Sequence, residues 1–177
     1  MQKNKGPMIV LVLMCVGGII FSVSLFLGAR DTYKHYINSK YHFSLLYPKN
    51  WKQIKTNDMP SSILVLENDQ GERIYFSYFE SLQTFPTNAP PERRSSLQEL
   101  LQPDFTDVEA IAINSASGYK GSSPYKYMGY PSKDIYLEHD GHIYDIGYVE
   151  SIETTPEVQG IIQSFTFLRN SNKPLKF

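Results

Sequence analysis

The sequence predicts an α+β domain, an antiparallel β-sheet with helices packed on it, preceded by one N-terminal transmembrane helix. Three observations predict this. Residues 8–27 form a run of twenty without a charge, which at about 1.5 Å rise per residue covers roughly 30 Å, one hydrocarbon core. Beyond it, short β-rich runs alternate in polarity and are joined by turn compositions at hairpin spacing, so neighbouring strands run antiparallel. Two stretches, near 92–102 and 155–165, combine helix-start chemistry with apolar residues at helical spacing and supply helices to cover the sheet.

The apolar segment reads as an uncleaved signal anchor over 8–29, after a short tail at 1–7. A cleaved signal peptide would carry a shorter apolar region and a small-residue exit, whereas Leu27-Gly28-Ala29 puts a bulky residue in that exit. Cys15 is a candidate lipidation site. Against it, Met14 stands where a small residue belongs and twelve uncharged residues follow the cysteine, so a buried apolar Cys is the preferred reading. Lys3 and Lys5 before the segment outweigh Arg30 and Lys34 after it only slightly once the terminal amine is counted. The balance places the N-terminus in the cytoplasm and the rest outside it. Residues 30–40 read as a connector of eleven residues reaching at most about 36 Å.

The domain is expected over 41–170, followed by a tail at 171–177. In Tyr41–Tyr47 the alternation sets Tyr41, Phe43, Leu45 and Tyr47 on one face, and Pro48 ends the strand before Trp51. Ser62–Glu67 and Arg73–Phe79 flank Asn68-Asp69-Gln70-Gly71 and form a hairpin, the second strand apolar on both faces. Ser96-Leu97-Gln98-Glu99 is a capping-box pattern, starting a brief helix whose stripe is Leu97, Leu100 and Leu101. A strand follows at Asp107–Asn114, then a long loop or loose hairpin at Ser115–Ser132. Asp134–Val149 is a hairpin turning on Asp140-Gly141. Thr155-Pro156-Glu157 supplies a capping hydroxyl, a first-turn proline and a first-turn acid, and Val158, Ile161, Ile162 and Phe165 repeat at helical spacing. Phe165–Leu168 continues into a last strand.

Composition narrows the function classes. The chain is 41% hydrophobic and 20% charged with a net charge of −1, which fits a globular domain and excludes a polybasic nucleic-acid arm. Without Lys3 and Lys5 the remainder holds 15 basic and 18 acidic residues, a balance unsuited to nucleic acid. One cysteine excludes an internal disulfide. No nucleophile elbow, zinc-protease helix motif, P-loop or dinucleotide fingerprint is present, so the expectation is a non-enzyme without a cofactor.

The opening Tyr41-x-Phe43-x-Leu45-x-Tyr47-Pro48-x-x-Trp51, and the closing helix running into Ser164-Phe165-Thr166-Phe167, resemble the PsbP-like family. The resemblance covers about residues 41–168. It implies an α-β-α sandwich, a fold shared with DcrB-type bacterial lipoproteins and a Ran-binding nuclear-import factor, and roles in binding and assembly rather than catalysis.

Two groups of residues are candidate sites. His139 and His142 flank the Asp140-Gly141 turn and point to one face, where two imidazoles could bind Zn or Cu. Their register pairs Leu137 with Tyr144 and Ile135 with Ile146. The preferred reading is therefore that the rings close the end of the core, since a catalytic zinc needs three protein ligands. Glu138 faces the opposite side. Tyr119, Tyr125, Tyr127 and Tyr130, interleaved with Lys120, Lys126 and Lys133, make an amphipathic surface suited to a protein partner. Arg93 and Arg94 beside Glu92 read as a solvated helix start. The leading expectation is an anchored domain outside the cytoplasm that binds or helps assemble a membrane-protein complex. The alternatives are a metal or small-ligand sensor using His139 and His142, and an envelope hydrolase.

Overall fold

A computed structural model describes residues 32–55, 57, 61–90, 94–124, 126 and 129–168. The expected anchor at 8–27, Cys15, Glu92, Arg93, Tyr125 and Tyr127 lie outside the described residues. Among the described residues no helix is long and apolar enough to cross a membrane.

The unit beginning at Lys34 is built on two antiparallel sheets instead of the one expected. A seven-stranded sheet has the order β3-β4-β5-β9-β8-β7-β6 and a three-stranded sheet the order β1-β2-β10. The strands are β1 Tyr33–Asn38, β2 Phe43–Pro48, β3 Lys52–Ile54, β4 Ser62–Glu67, β5 Arg73–Phe79, β6 Thr106–Ile113, β7 Ala116–Ser122, β8 Ser132–His139, β9 His142–Val149 and β10 Thr166–Phe167. Helix α1 is Leu97–Leu101 and helix α2 is Pro156–Ser164.

Four differences from the sequence expectation have physical reasons. Part of the expected connector, 33–38, is strand β1, because Tyr36 packs its ring 5.7 Å from that of Phe43 and the strand joins the small sheet. Much of the expected loop at 115–132 is strand β7, whose Gly118 would put a Cβ 1.9 Å from the Tyr136 carbonyl oxygen. Its glycines weaken the strand signal yet are what let the backbones approach. Thr155 does not cap α2; its Oγ1 donates to the Ile152 carbonyl at 2.9 Å. The first helix is shorter than expected. Ser96 Oγ accepts from the Glu99 amide as a capping box requires, while the Glu99 carboxylate is taken up by the Ser95 hydroxyl.

Because β5, β8 and β9 are internal strands, side chains alternate between two covered faces. On the front, Ile74, Phe76, Ile135, Leu137 and Ile146 meet Phe43 and Leu45 of β2 and Val158, Ile161 and Ile162 of α2. Phe165 lies at the centre. It stacks on Phe43 at 5.2 Å and Phe76 at 6.3 Å, and meets Phe167 edge-on at 5.2 Å. On the back, Tyr136 and Ile143 carry Leu97, Leu100 and Leu101 of α1 and Phe85 of the segment before it. Arg94 pins that segment, donating to the Gln83 carbonyl at 2.8 Å and the Ala89 carbonyl at 3.2 Å. The sheet thus has a helix on each face.

Phe165→Ala should lower stability by about 3–5 kcal/mol, the range for removing a large buried aromatic. Urea unfolding followed by tyrosine and tryptophan fluorescence measures it, and a loss below about 1 kcal/mol would contradict the central place given to this ring.

Candidate functional site

The β8–β9 hairpin closes on Asp140 and Gly141, with φ of 54° and 81°. Both values are positive, as a two-residue type I′ turn demands, and this fixes the register so that His139 opposes His142. His139 stacks flat on Phe167, ring centroids 4.0 Å apart and planes within 5°. Nδ1 of His142 lies 2.8 Å from the Tyr78 hydroxyl and 2.9 Å from the Glu80 carbonyl oxygen. Whichever tautomer is present, that nitrogen is engaged. Among the described residues no group of three or more His, Cys, Asp or Glu is placed to hold a metal ion. The rings pack on Phe167 and Tyr78, aromatic residues at the margin of the front core.

The tyrosine-lysine stretch is divided. Tyr119 belongs to β7, its hydroxyl donating to Gln98 Oε1 at 3.3 Å while its ring packs on the back core. Lys120 bridges Glu153 Oε1 at 2.8 Å and Glu109 Oε1 at 2.9 Å, and these two bonds hold its ammonium well above its ordinary pKa. Lys133 donates to the Ser122 hydroxyl at 2.9 Å. Among the described residues of this stretch, Lys126 and Tyr130 are the exposed ones, Tyr130 at 61%. Among the described residues, three further large hydrophobic side chains stand in solvent on the small sheet, Tyr33 at 37% and Ile37 at 56% on β1 and Leu46 at 42% on β2.

The back face carries a feature that sequence reasoning missed. The register that sends Ile135 and Ile146 to the front sends Asp134 and Asp145 to the back, where both are buried, 3% and 6% exposed. They border a cleft of about 270 Å³ whose walls include Tyr75, Phe85, Phe105 and Tyr136.

The two aspartates are served differently. Tyr75, Gly147 and Asp134 are consecutive cross-strand partners on β5, β9 and β8. A Cβ at Gly147 would lie 1.8 Å from the Tyr75 ring, so only glycine lets that ring cross the middle strand and donate its hydroxyl to Asp134 Oδ1 at 2.5 Å. Ser123 and Tyr136 also hydrogen-bond Asp134. Burial pushes the Asp134 pKa up, and these three hydroxyls oppose the rise. Asp145 lies between Ser77 and Tyr136 in the next cross-strand row, and its Oδ1 has no hydrogen-bond partner among the described residues. Burial, then the charge of Asp134, hold its pKa well above the ordinary value of 3.8. The hydroxyls around Asp134 favour its charge, whereas burial and the neighbouring Asp134 disfavour a charge on Asp145.

No family model matches this sequence, and no curated protein matches it. Solved structures do. A crystal structure from Bacteroides thetaiotaomicron VPI-5482 aligns with a TM-score of 0.56 at 13% identity, over 81% of this chain and 51% of the other. The solution structure of cyanobacterial PsbP (CyanoP) from Synechocystis sp. PCC 6803 aligns with a TM-score of 0.50 at 14% identity, over 77% of this chain and 92% of the other. The fold is PsbP-like. The chain spans about half the length of the Bacteroides protein and most of CyanoP. At such identities the likeness concerns the fold, and the chemistry has to be read from this chain's own residues.

Two outcomes follow from the aspartates. Asp145 binds a proton more tightly folded than unfolded, so stability falls as pH rises above about 3.8 toward its raised folded pKa. Asp145→Asn should reduce that descending limb, leaving the part due to Asp134, and raise stability at neutral pH; thermal unfolding from pH 4 to pH 8, roughly the span in which carboxylates titrate, checks it. An unchanged limb in the variant would be the wrong result. Gly147→Ala should cost about 1–3 kcal/mol through the clash with the Tyr75 ring, and Tyr75→Phe in the same background should recover little of it, since the ring stays.

Proposed function

We propose that this chain is a membrane-anchored, non-catalytic binding domain that acts outside the cytoplasm on a membrane-protein complex, with residues 8–27 as its anchor. The observation that carries this reading is the early start of β1 at Tyr33. If residues 8–27 span the bilayer, the five residues between Leu27 and β1 allow a separation of at most about 20 Å. The small sheet is then the part of the domain nearest the membrane along the chain, and it displays Ile37 and Leu46. Exposed apolar residues of this kind suit a protein partner held at the bilayer surface. The PsbP-like fold supports the reading by analogy of architecture alone. Tyr130, with Lys126 nearby in sequence, offers a second contact region.

The test is recovery of the full-length chain from its native membrane in mild detergent after brief in-cell crosslinking. A membrane-protein partner should appear in stoichiometric amount. Ile37→Glu combined with Leu46→Glu should cut that recovery by at least about tenfold without unfolding the domain, because both side chains are exposed. Tyr130→Ala run in parallel reports on the loop. Recovery of the chain alone would defeat the reading.

A further inference from the structure

The back-face cleft is built differently from a packed core. Its floor is a pair of buried carboxyl groups, Asp134 and Asp145, one row apart on neighbouring strands. Buried polar atoms in folded proteins are nearly always hydrogen-bonded, and leaving one unmet costs on the order of 1–3 kcal/mol. Asp145 Oδ1 is such an atom: its residue is more than nine-tenths buried, lines the cleft and finds no partner among the described residues. An apolar residue of similar size there would avoid the cost of an unsatisfied buried polar group. The presence of the aspartate points to a group that arrives from outside.

The cleft's chemistry says which group. Among the described residues, three acids, Asp104, Asp134 and Asp145, line it against one cation, Lys126. Asp104 is already taken, accepting from the Asn88 amide at 2.9 Å, the Asn88 side chain at 2.7 Å and the Thr87 hydroxyl at 2.8 Å. Asp134 is likewise served by three hydroxyls, so Asp145 is the acid that remains to meet a ligand, with Asp134 beside it. The walls are aromatic, with Tyr75, Phe85, Phe105 and Tyr136 presenting rings that favour a cation over a neutral group. The volume of about 270 Å³ lies just below the range usual for small-molecule sites. That size limits the occupant to a compact molecule.

We propose that this cleft binds a compact organic cation, an ammonium group on a small apolar or aromatic body, with the ammonium received between Asp145 and Asp134 and the body against the aromatic walls. The titratable groups facing Asp145 are Asp134, Tyr75 and Tyr136 from the sheet and Asp104 and Lys126 from the segments above it. Binding ionises Asp145, whose proton goes to the buffer, and the ammonium supplies the missing donor to Oδ1. Affinity therefore rises with pH while Asp145 is protonated in the free protein and levels off above its pKa. This inference goes beyond the partner reading and does not depend on it.

The probes are benzylamine and its neutral counterpart benzyl alcohol, titrated calorimetrically into the full-length chain in detergent micelles. Benzylamine should bind with a Kd of about 1 mM or tighter near pH 7, and benzyl alcohol at least about tenfold more weakly. The benzylamine enthalpy should vary with the ionisation enthalpy of the buffer, as release of a proton requires. Asp145→Asn, which keeps the side chain's shape, should abolish both the preference for the amine and the proton release while its melting temperature is held or raised. Partner recovery from membranes should be unaffected by that variant. The proposal is overturned if benzylamine fails to bind at about 10 mM, if benzyl alcohol binds the wild-type chain as well, or if Asp145→Asn binds the amine unchanged. The comparison of amine with alcohol uses the wild-type protein, so it stands whatever the variant's stability.

Discussion

The front of the domain depends on three stacked rings. Phe43 enters from β2, Phe165 from the end of α2 and Phe76 from the middle of the large sheet, and all three are essentially inaccessible to solvent. Rings arranged this way bring large apolar areas together with an additional offset-stacking gain. The stack also joins parts of the chain far apart in sequence. Once Phe165 is seated, the residues after it fall beside β2, pairing Thr166 with Ser44 and Phe167 with Phe43. Polar groups around the stack then find partners: Asn114 Nδ2 donates to the carbonyls of Gln163 at 2.9 Å and Phe165 at 2.7 Å, and the Leu168 amide donates to the His42 carbonyl at 2.8 Å. The small sheet exists because the aromatic stack holds its strands over the large one.

The two faces of the large sheet are put to different uses. The front face buries an apolar cluster drawn from both sheets and α2. The back face gives up part of its apolar area to Asp134, Asp145, Ser77 and Ser132, all buried. Gly147 belongs to the same arrangement, because the missing Cβ is what lets Tyr75 reach across a strand to Asp134. Stability alone favours none of these choices. A residue that breaks the packing rule and is held in place by specific neighbours is the usual mark of a site.

The fold itself is shared with proteins of 13–14% identity. An alternating sheet with a helix on each side can be written in many sequences provided the buried volume and polarity pattern persist. The aspartate pair is a property of particular positions on β8 and β9, and an architecture at this similarity carries no assignment for it.

The sequence by itself determined most of the local elements. The strands at 62–67 and 73–79, the hairpin on Asp140-Gly141 with His139 opposite His142, and the helix after Thr155 all rest on turn chemistry and side-chain period, which are properties of adjacent residues. The composition of the uncharged run at 8–27 is equally local. Tertiary structure decided the rest. Strand β7 was obscured because its glycines are read locally as loop, while their use is to admit the neighbouring backbone. Strand β1 needed the ring of Phe43 to pack against. Half of the aspartate site was within reach, since the register that sent Ile135 and Ile146 inward also put Asp134 and Asp145 together on the reverse face. What that register cannot say is that the reverse face is covered. Burial there comes from α1 and the segment pinned by Arg94, and a carboxyl group is ordinary on an open face and costly under a closed one.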